Sequence, residues 1–152
     1  MQIIPDELDR RMALFEKTLK EAGVKITHQR LEIFREVASS LNHPDAETLF
    51  RNVRKKLPTI SLDTVYRALW LMVDLGLLTT LGASRDRTRF DANMESHHHF
   101  VCSVCGMTHD FYDAGFDRLP VPEKVMEIGK AESVQVRIKG ICMRCMRKKE
   151  AH

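Results

Sequence analysis

Two C-x-x-C pairs constrain this chain more than any other feature. Cys102 and Cys105 form the first pair, Cys142 and Cys145 form the second, and the chain has four cysteines in all. Each spacing lets a tight turn aim two thiolates at one ion, and two such turns complete a tetrahedral site. Gly106 follows the first pair, where a tight turn needs a permissive backbone. The pattern predicts a closed structural zinc site that joins distant parts of the chain.

A thioredoxin-like redox pair is the rival interpretation of these cysteines. That chemistry needs a C-x-x-C at the start of a helix that follows a strand, whereas the first pair here is predicted to lie between two strands. The N-terminal stretch MQIIPDELDRR turns acidic and polar too soon for an export signal. Thiols without an export signal favour metal binding over structural disulfides, so we expect a cytoplasmic protein.

Composition is that of an ordinary globular protein. Of the 152 residues, 43% are hydrophobic and 30% are charged, and the net charge is +3. This mild positive charge permits nucleic-acid binding without arguing for it. No segment approaches the roughly 18 apolar residues that cross a membrane, so we expect no membrane partner. Two small cores in a chain of this length are marginal without a metal or a dimer partner.

The first half of the chain carries four apolar stripes with helical spacing. Thr27 is expected to cap the second helix and Ser61 the fourth, which Gly76 would end. A third helix is expected around residues 45–57, where Pro58 stops it.

A β-hairpin is predicted after the fourth helix. The stretches GLLTTL and TRFDA are typical of short strands, and the turn-rich GASRDR joins them. Helix, turn, helix and hairpin is the order of a winged helix-turn-helix, which we place at residues 1–92. The polar stretch NMES, residues 93–96, is then a short hinge.

The remainder, residues 97–152, follows a different pattern. HHFVCS and MTHDFY are predicted strands around the first C-x-x-C, and SVQVRIKG alternates like a third strand. A short helix is expected around residues 119–130, and the chain ends in a basic tail. The predicted fold class is therefore α+β, with an N-terminal winged helix-turn-helix followed by a small α/β domain.

The register of the hairpin around the first C-x-x-C decides which histidines lie together. If the turn closes a hairpin, His99 lies opposite Asp110, and His97 shares their face. His98 and His109 then point to the opposite face. Imidazole and carboxylate ligands suit Fe(II), Mn(II) or Zn(II) better than Cu(I). A polar strand surface without a metal is the alternative.

Two further ligand candidates lie in the first half of the chain. His43 stands directly before Pro44 and the third helix, and Asp91 ends the second strand of the predicted hairpin. Taken alone, His43 would more often be a loop or capping residue, and Asp91 a solvated strand end.

The winged-helix order, together with the motifs ITHQR, SLDTVYRAL, RFD, HHHFVCSVCG and CMRC, resembles the ferric uptake regulator family, and most of all its peroxide-responsive repressor branch. The resemblance covers the chain from Leu8 to Lys149. It implies a homodimeric transcriptional repressor whose C-terminal α/β domain dimerises. The expected partner is double-stranded DNA with an inverted-repeat operator, with no enzyme activity and no organic small-molecule substrate.

The resemblance also implies two metal sites. The four cysteines fall on the family's structural Zn2+ site. The regulatory site, for Fe2+ or Mn2+, falls on His43, Asp91, His97, His99 and Asp110. A further site of some members would fall on Ser96, His98, Asp117 and Val134, and we do not expect it here because serine and valine are not suitable ligands.

Asp110 bears on which branch the chain resembles. Plain iron sensors more usually carry glutamate at this position, and aspartate is similar to the peroxide sensors. In those relatives hydrogen peroxide oxidises ligand histidines of the iron-loaded protein, and the matching residues here are His43 and His97.

Residues Ser61–Asp74 correspond to the recognition helix of a winged helix, whose N-terminal part enters the major groove. Six residues are candidate DNA contacts by their position or by the resemblance: Lys25, Arg30, Ser61, Thr64, Tyr66 and Arg67. Partial burial between helices is the alternative for Tyr66. The basic stretch RNVRKK is interpreted as a solvated helix face.

Three functions are compatible with these observations. The first is a peroxide-sensing, metal-dependent repressor. The second is an iron- or zinc-responsive repressor without peroxide chemistry. The third is a metalloenzyme that uses His97, His99 and Asp110 with an open coordination position, although the sequence offers it no evident general base.

Overall fold

Helices dominate the first of the two units, Met1–Met94 and Glu95–His152, into which the chain divides. The computed structural model describes residues 4–81 and 88–151. The elements of the first unit are α1 (Pro5–Glu21), α2 (His28–Ser39), α3 (Ala46–Arg54), α4 (Leu62–Asp74), β1 (Thr79–Leu81) and β2 (Arg89–Asp91). Strands β1 and β2 pair antiparallel. The predicted winged-helix order is confirmed, while the connecting GASRDR lies outside the described residues.

Side-chain caps fix where these helices begin. The hydroxyl of Thr27 accepts a hydrogen bond from the Arg30 N–H at 3.2 Å, and the hydroxyl of Ser61 accepts one from the Thr64 N–H at 3.1 Å. Each bond satisfies a backbone donor that the first helical turn leaves unpaired. Gly76 follows α4 with φ of +75°, a conformation that glycine adopts without steric cost. Both predicted caps and the predicted end of the fourth helix are confirmed.

The third helix is shorter than predicted. Asp45 caps α3 by accepting from the Thr48 N–H at 2.8 Å, as the expected start at residue 45 requires. The α-helix ends at Arg54, and residues 55 and 56 form a turn before Pro58. The expected extension to residue 57 is therefore wrong.

An apolar core holds the first unit together. The rings of Phe15 on α1 and Phe34 on α2 stack with centroids 4.7 Å apart, and both side chains are fully buried. Trp70 on α4 meets the ring of Phe90 on β2 edge-on at 5.8 Å. The remaining fully buried large apolar residues of this unit are Leu19, Ile33, Val37, Leu49, Leu69, Met72, Leu77 and Leu78.

The second unit is built on a three-stranded sheet. Its elements are β3 (His98–Cys102), β4 (Thr108–Phe111), α5 (Ala114–Asp117), α6 (Glu123–Ile128), β5 (Arg137–Gly140) and α7 (Met143–Glu150). The strand order is β4-β3-β5, with β3 antiparallel to β4 and parallel to β5. This matches the predicted α/β character of residues 97–152.

Three details of this unit differ from the sequence predictions. The helix expected around residues 119–130 is shorter, Glu123–Ile128, because Pro120 and Pro122 disfavour helical backbone in the residues before them. The third strand covers Arg137–Gly140 rather than residues 133–140. The basic tail is helix α7, whose Met, Arg and Lys residues are good helix formers.

The second unit buries little apolar surface. Its buried hydrophobic cluster consists of Cys102, Cys142 and Cys145, with Phe100 and Met107 packed against it. A unit of this size with so small an apolar core is marginal unless something else stabilises it. Within the described residues, no helix is long and apolar enough to span a bilayer.

We predict that Phe34→Ala lowers the free energy of unfolding of the first unit by about 3–5 kcal/mol, because it leaves a cavity beside Phe15. Chemical denaturation followed by the fluorescence of Trp70, the chain's one tryptophan, measures this unit. Leu14→Ala is the control, since Leu14 lies on α1 but is 46% exposed. Equal losses in the two variants would contradict the assigned core.

Candidate functional site

The four cysteines meet at one end of the sheet. Cys102 ends β3, and its N–H donates to the Met107 carbonyl at 2.8 Å, which closes the turn that carries Cys105. Cys142 precedes α7, and Cys145 lies in the first turn of that helix. All four sulfurs lie within 4.8 Å of one another. The structure therefore brings together all four predicted zinc ligands.

The sulfur geometry fits a tetrahedral zinc ion. Four sulfurs about 2.3 Å from a central ion lie about 3.8 Å from one another. The Sγ atoms of Cys105 and Cys142 are 3.8 Å apart. The Cys142 N–H also donates to Cys102 Sγ at 3.3 Å, a contact that favours the thiolate.

Proton sharing among the sulfurs also indicates a cation site. Backbone N–H groups of Cys105 and Cys142 lower the pKa of Cys102 to about 6. The hydrogen bond with Cys142, together with burial, raises the pKa of Cys145 to about 12. Without a cation, the cluster therefore keeps protons that a divalent ion would displace. Metal binding at this cluster should release protons and weaken as the pH falls.

A second set of ligands lies along the hairpin formed by β3 and β4. His99 pairs with Asp110 in the strand register, as predicted from the position of the turn. Asp110 Oδ1 lies 3.1 Å from His99 Nε2 and 3.8 Å from His97 Nε2. The two imidazole rings stand edge-on, with centroids 4.8 Å apart. Two imidazoles and a carboxylate thus converge within the second unit.

The tautomer of His97 suits metal binding. Its Nδ1 lies 2.6 Å from the Glu95 carbonyl, which can only accept, so Nδ1 carries the proton. Nε2, on the side of Asp110, then offers a lone pair to a cation. A backbone acceptor that orients the imidazole in this way is typical of ligand histidines. No residue type in the sequence indicates this contact, because the acceptor belongs to the main chain.

His43 and Asp91 form a pair within the first unit. His43 Nδ1 lies 3.5 Å from Asp91 Oδ1, and each residue is 2% exposed. The same carboxylate oxygen accepts the Asn93 N–H at 2.8 Å. The interpretation of Asp91 as a solvated strand end is therefore wrong, and His43 is a buried residue of the loop before α3.

His98 belongs to a separate cluster. Its Nδ1 accepts the Val136 N–H at 3.0 Å, so Nε2 carries the proton and donates to Asp117 at 2.9 Å. The rings of Phe111 and Phe116 lie beside the imidazole at 5.6 and 5.5 Å. Both ring nitrogens of His98 have protein partners, as expected for a histidine on the opposite face from His97 and His99. His109 is exposed and lies outside the set.

Several of the candidate DNA contacts share one groove. Thr27, Arg30, Thr64 and Arg67 line it, between the starts of α2 and α4. Arg67 lies on the exposed face of α4, where Nε is 2.9 Å from Asp63. An exposed arginine near the start of a helix can reach a phosphate or a guanine edge.

The other DNA candidates lie around this groove. The hydroxyls of Ser61 and Thr64 are 2.8 Å apart at the start of α4. The Lys25 carbonyl accepts from Arg30 Nη1 at 2.6 Å, which holds the two residues together. Tyr66 is 37% exposed, which leaves both DNA contact and partial burial between helices open.

Known proteins with similar sequences are transcriptional regulators. The model of the Ferric uptake regulator family matches residues 21–139. The peroxide operon regulator of Bacillus subtilis is 34% identical over 136 residues, which cover 90% of this chain and 93% of that protein. The peroxide-responsive repressor PerR of Staphylococcus epidermidis is 31% identical over 145 residues, 95% of this chain and 94% of that protein.

The fold is shared as well. The chain is similar to the ferric uptake regulator Fur of Helicobacter pylori with a TM-score of 0.71 and 23% identity, over 91% of this chain and 93% of that one. The architecture is thus an N-terminal helical unit followed by a C-terminal α/β unit. Members of the matched family are transcriptional regulators, so the metalloenzyme alternative is set aside. The chain belongs to the ferric uptake regulator family of metal-dependent transcriptional regulators.

Proposed function

We propose that this chain is a cytoplasmic, homodimeric repressor that senses hydrogen peroxide through oxidation of its own metal ligands. The observation that carries the proposal is the convergence of His97, His99 and Asp110 on one face of the β3–β4 hairpin. Two relatives with 34% and 31% identity over at least 90% of the chain are a peroxide operon regulator and a peroxide-responsive repressor. Their names support the peroxide signal over a response to metal level alone.

The proposed regulatory site takes ligands from both units of the chain. Its five ligands, for Fe2+ or Mn2+, are His43, Asp91, His97, His99 and Asp110. The first unit supplies a histidine and a carboxylate, and the second supplies two histidines and a carboxylate. A cation that needs both sets favours the conformer in which both bind it, and this conformer is the one that fits DNA.

Loss of one ligand is the proposed signal. Bound Fe2+ would supply the redox chemistry by which hydrogen peroxide adds one oxygen atom to an imidazole and leaves water, whereas Mn2+ would not. We assign that oxidation to His43 and His97, one from each unit. An oxidised imidazole no longer donates its lone pair to the cation. The preference for the DNA-binding conformer is then lost, and the operator is released.

The four cysteines have a different task in this proposal. They hold a structural Zn2+ whose coordination is complete, so that it takes no part in sensing. This ion stabilises the second unit, where the buried cluster is made largely of Cys102, Cys142 and Cys145. The dimer would form on this unit, which exposes a set of apolar side chains: Val125, Met126, Ile128, Val134, Ile138, Ile141, Met143 and Met146.

DNA binding is assigned to the first unit. The start of α4 would enter the major groove of each half of an inverted repeat, with Thr64, Tyr66 and Arg67 closest to the bases. Lys25, Arg30 and Ser61 would contact the backbone or the minor groove. The groove shared by Arg30, Thr64 and Arg67 supports one continuous contact surface.

We predict that hydrogen peroxide oxidises only the Fe2+-loaded protein. Intact mass should rise by one oxygen atom, peptide mapping should place that oxygen on His43 or His97, and binding to an operator selected from random DNA should be lost. The Mn2+-loaded protein should keep its mass and its affinity under the same treatment.

Two variants sharpen this experiment. His109→Ala is the control, because His109 is exposed and lies outside the proposed ligand set. It should respond to peroxide like the parent protein, whereas His43→Ala should fail to repress even before treatment. If the iron form keeps its mass and its operator affinity in peroxide, the chain is a sensor of metal level instead.

We predict that Cys102→Ser removes the structural zinc. The zinc content should fall from about one ion per chain to almost none, because a serine hydroxyl is a poor ligand for this site. The second unit should then lose protection in amide hydrogen exchange, while the helices of the first unit keep theirs. Ser103→Ala in the same turn is the control and should retain its zinc. Full protection of the second unit without zinc would contradict the structural role.

We predict that Arg67→Ala weakens operator binding by about tenfold. The variant makes one cationic contact fewer with the DNA, so binding should release about one counterion fewer and depend less on salt. Fluorescence anisotropy over a range of salt concentrations measures both effects. Arg10→Ala is the matched control, since Arg10 is also an exposed helical arginine close to a carboxylate, at 3.7 Å from Glu7. Similar losses in the two variants would indicate only a general charge effect.

A further inference from the structure

The backbone of His43 adopts an unusual conformation. Its φ is +48°, and among residues 4–81 and 88–151 it is the one non-glycine residue with a positive φ. Side chains other than glycine rarely adopt this conformation, because Cβ then crowds the neighbouring backbone. The following Pro44 restricts His43 still more. Such strain persists only where the surroundings hold it in place.

Strand β2 supplies contacts that hold this backbone. Arg89 Nη1 donates to the Asn42 carbonyl at 3.2 Å and to the His43 carbonyl at 3.4 Å. The Phe90 N–H donates to the Pro44 carbonyl at 3.1 Å. Three successive carbonyls of the loop between α2 and α3 are therefore bound by two neighbouring residues of β2.

Charge also keeps Arg89 at this loop. The carboxylate of Asp45 lies near enough to the Arg89 guanidinium for their opposite charges to attract, and the two residues form an isolated β-bridge. Arg89 thus contacts both the loop carbonyls and the residue that caps α3.

The same strand carries a proposed metal ligand. Residues two apart in a strand point to the same face, so Arg89 and Asp91 lie on one side of β2. Asp91 Oδ1 is 3.5 Å from His43 Nδ1. One three-residue strand therefore presents the carboxylate and fixes the backbone from which the imidazole projects.

We propose that Arg89 is a positioning residue that sets the affinity of the regulatory site by holding the backbone of His43. This inference rests on the proposed function, because it takes His43 and Asp91 as metal ligands. Arginine fits the task since its planar group offers several donors in a fixed geometry, whereas the lysine ammonium is a compact point charge. The contacts join residues 46 and 47 positions apart, so no local sequence pattern reveals them.

The test measures Mn2+ affinity of the full-length, zinc-loaded protein by electron paramagnetic resonance, which counts free ion up to millimolar concentrations. Arg89→Ala should raise the Mn2+ dissociation constant by about tenfold, as losses of outer contacts around metal ligands commonly do. Arg89→Lys should give a smaller rise. Arg51→Ala is the matched control: it removes a second positive charge near Asp45 but no bond to the loop carbonyls, and it should bind Mn2+ like the parent.

The same substitution made in the His43→Ala variant distinguishes a positioning role from general destabilisation. If Arg89 acts through His43, Arg89→Ala should change the dissociation constant less than about twofold when His43 is already alanine. An equal loss in both backgrounds, or no loss in the parent background, would overturn the inference. The parent protein and His43→Ala test the proposed function separately, because a parent that binds no Mn2+ beyond its zinc would refute the regulatory site itself.

Discussion

The clustering of four cysteine sulfurs is the constraint on which the second unit depends. Its buried hydrophobic cluster is Cys102, Cys142 and Cys145, with Phe100 and Met107 against them. The first unit is stabilised instead by a core of buried aromatic and aliphatic side chains. A hydrophobic core of that kind is stabilised by burial alone, whereas neighbouring thiolates repel one another until a cation binds. With the proposed structural zinc, the folding of the second unit would be coupled to metal binding.

The same turn that places two sulfurs also sets the register of the strands that carry His97, His99 and Asp110. With the Cys102 N–H bound to the Met107 carbonyl, the hairpin pairs His99 with Asp110. A slip of one residue would turn His98 toward Asp110 in place of His99. A cation held by the proposed zinc ligands would therefore also preserve the geometry of the histidines, although the two sets share no ligand. This explains why two sites of different chemistry occupy one short stretch of sequence.

The features that the sequence predicts correctly are those that local rules decide. The caps at Thr27 and Ser61, and the hairpin register, follow from residue types at fixed spacing. Helix α7 was missed because Cys145 is its buried residue, so it carries no apolar stripe to reveal it. Strand β5 was predicted too long because alternation shows where a strand can form, while pairing with His99–Cys102 of β3 limits it to Arg137–Gly140. The backbone of His43 depends on a distant strand and had no local signal.

The division of ligand types gives each site its role. Four thiolates in a closed tetrahedron bind Zn2+ tightly and leave no coordination position open, which suits a structural role. Imidazole and carboxylate ligands suit Fe2+ and Mn2+, which bind more weakly and can be exchanged. His43 is paired with Asp91 in the first unit, and His97 and His99 converge on Asp110 in the second. Under the proposed function the exchangeable cation would depend on each of these imidazoles, so the loss of one would be enough to release it.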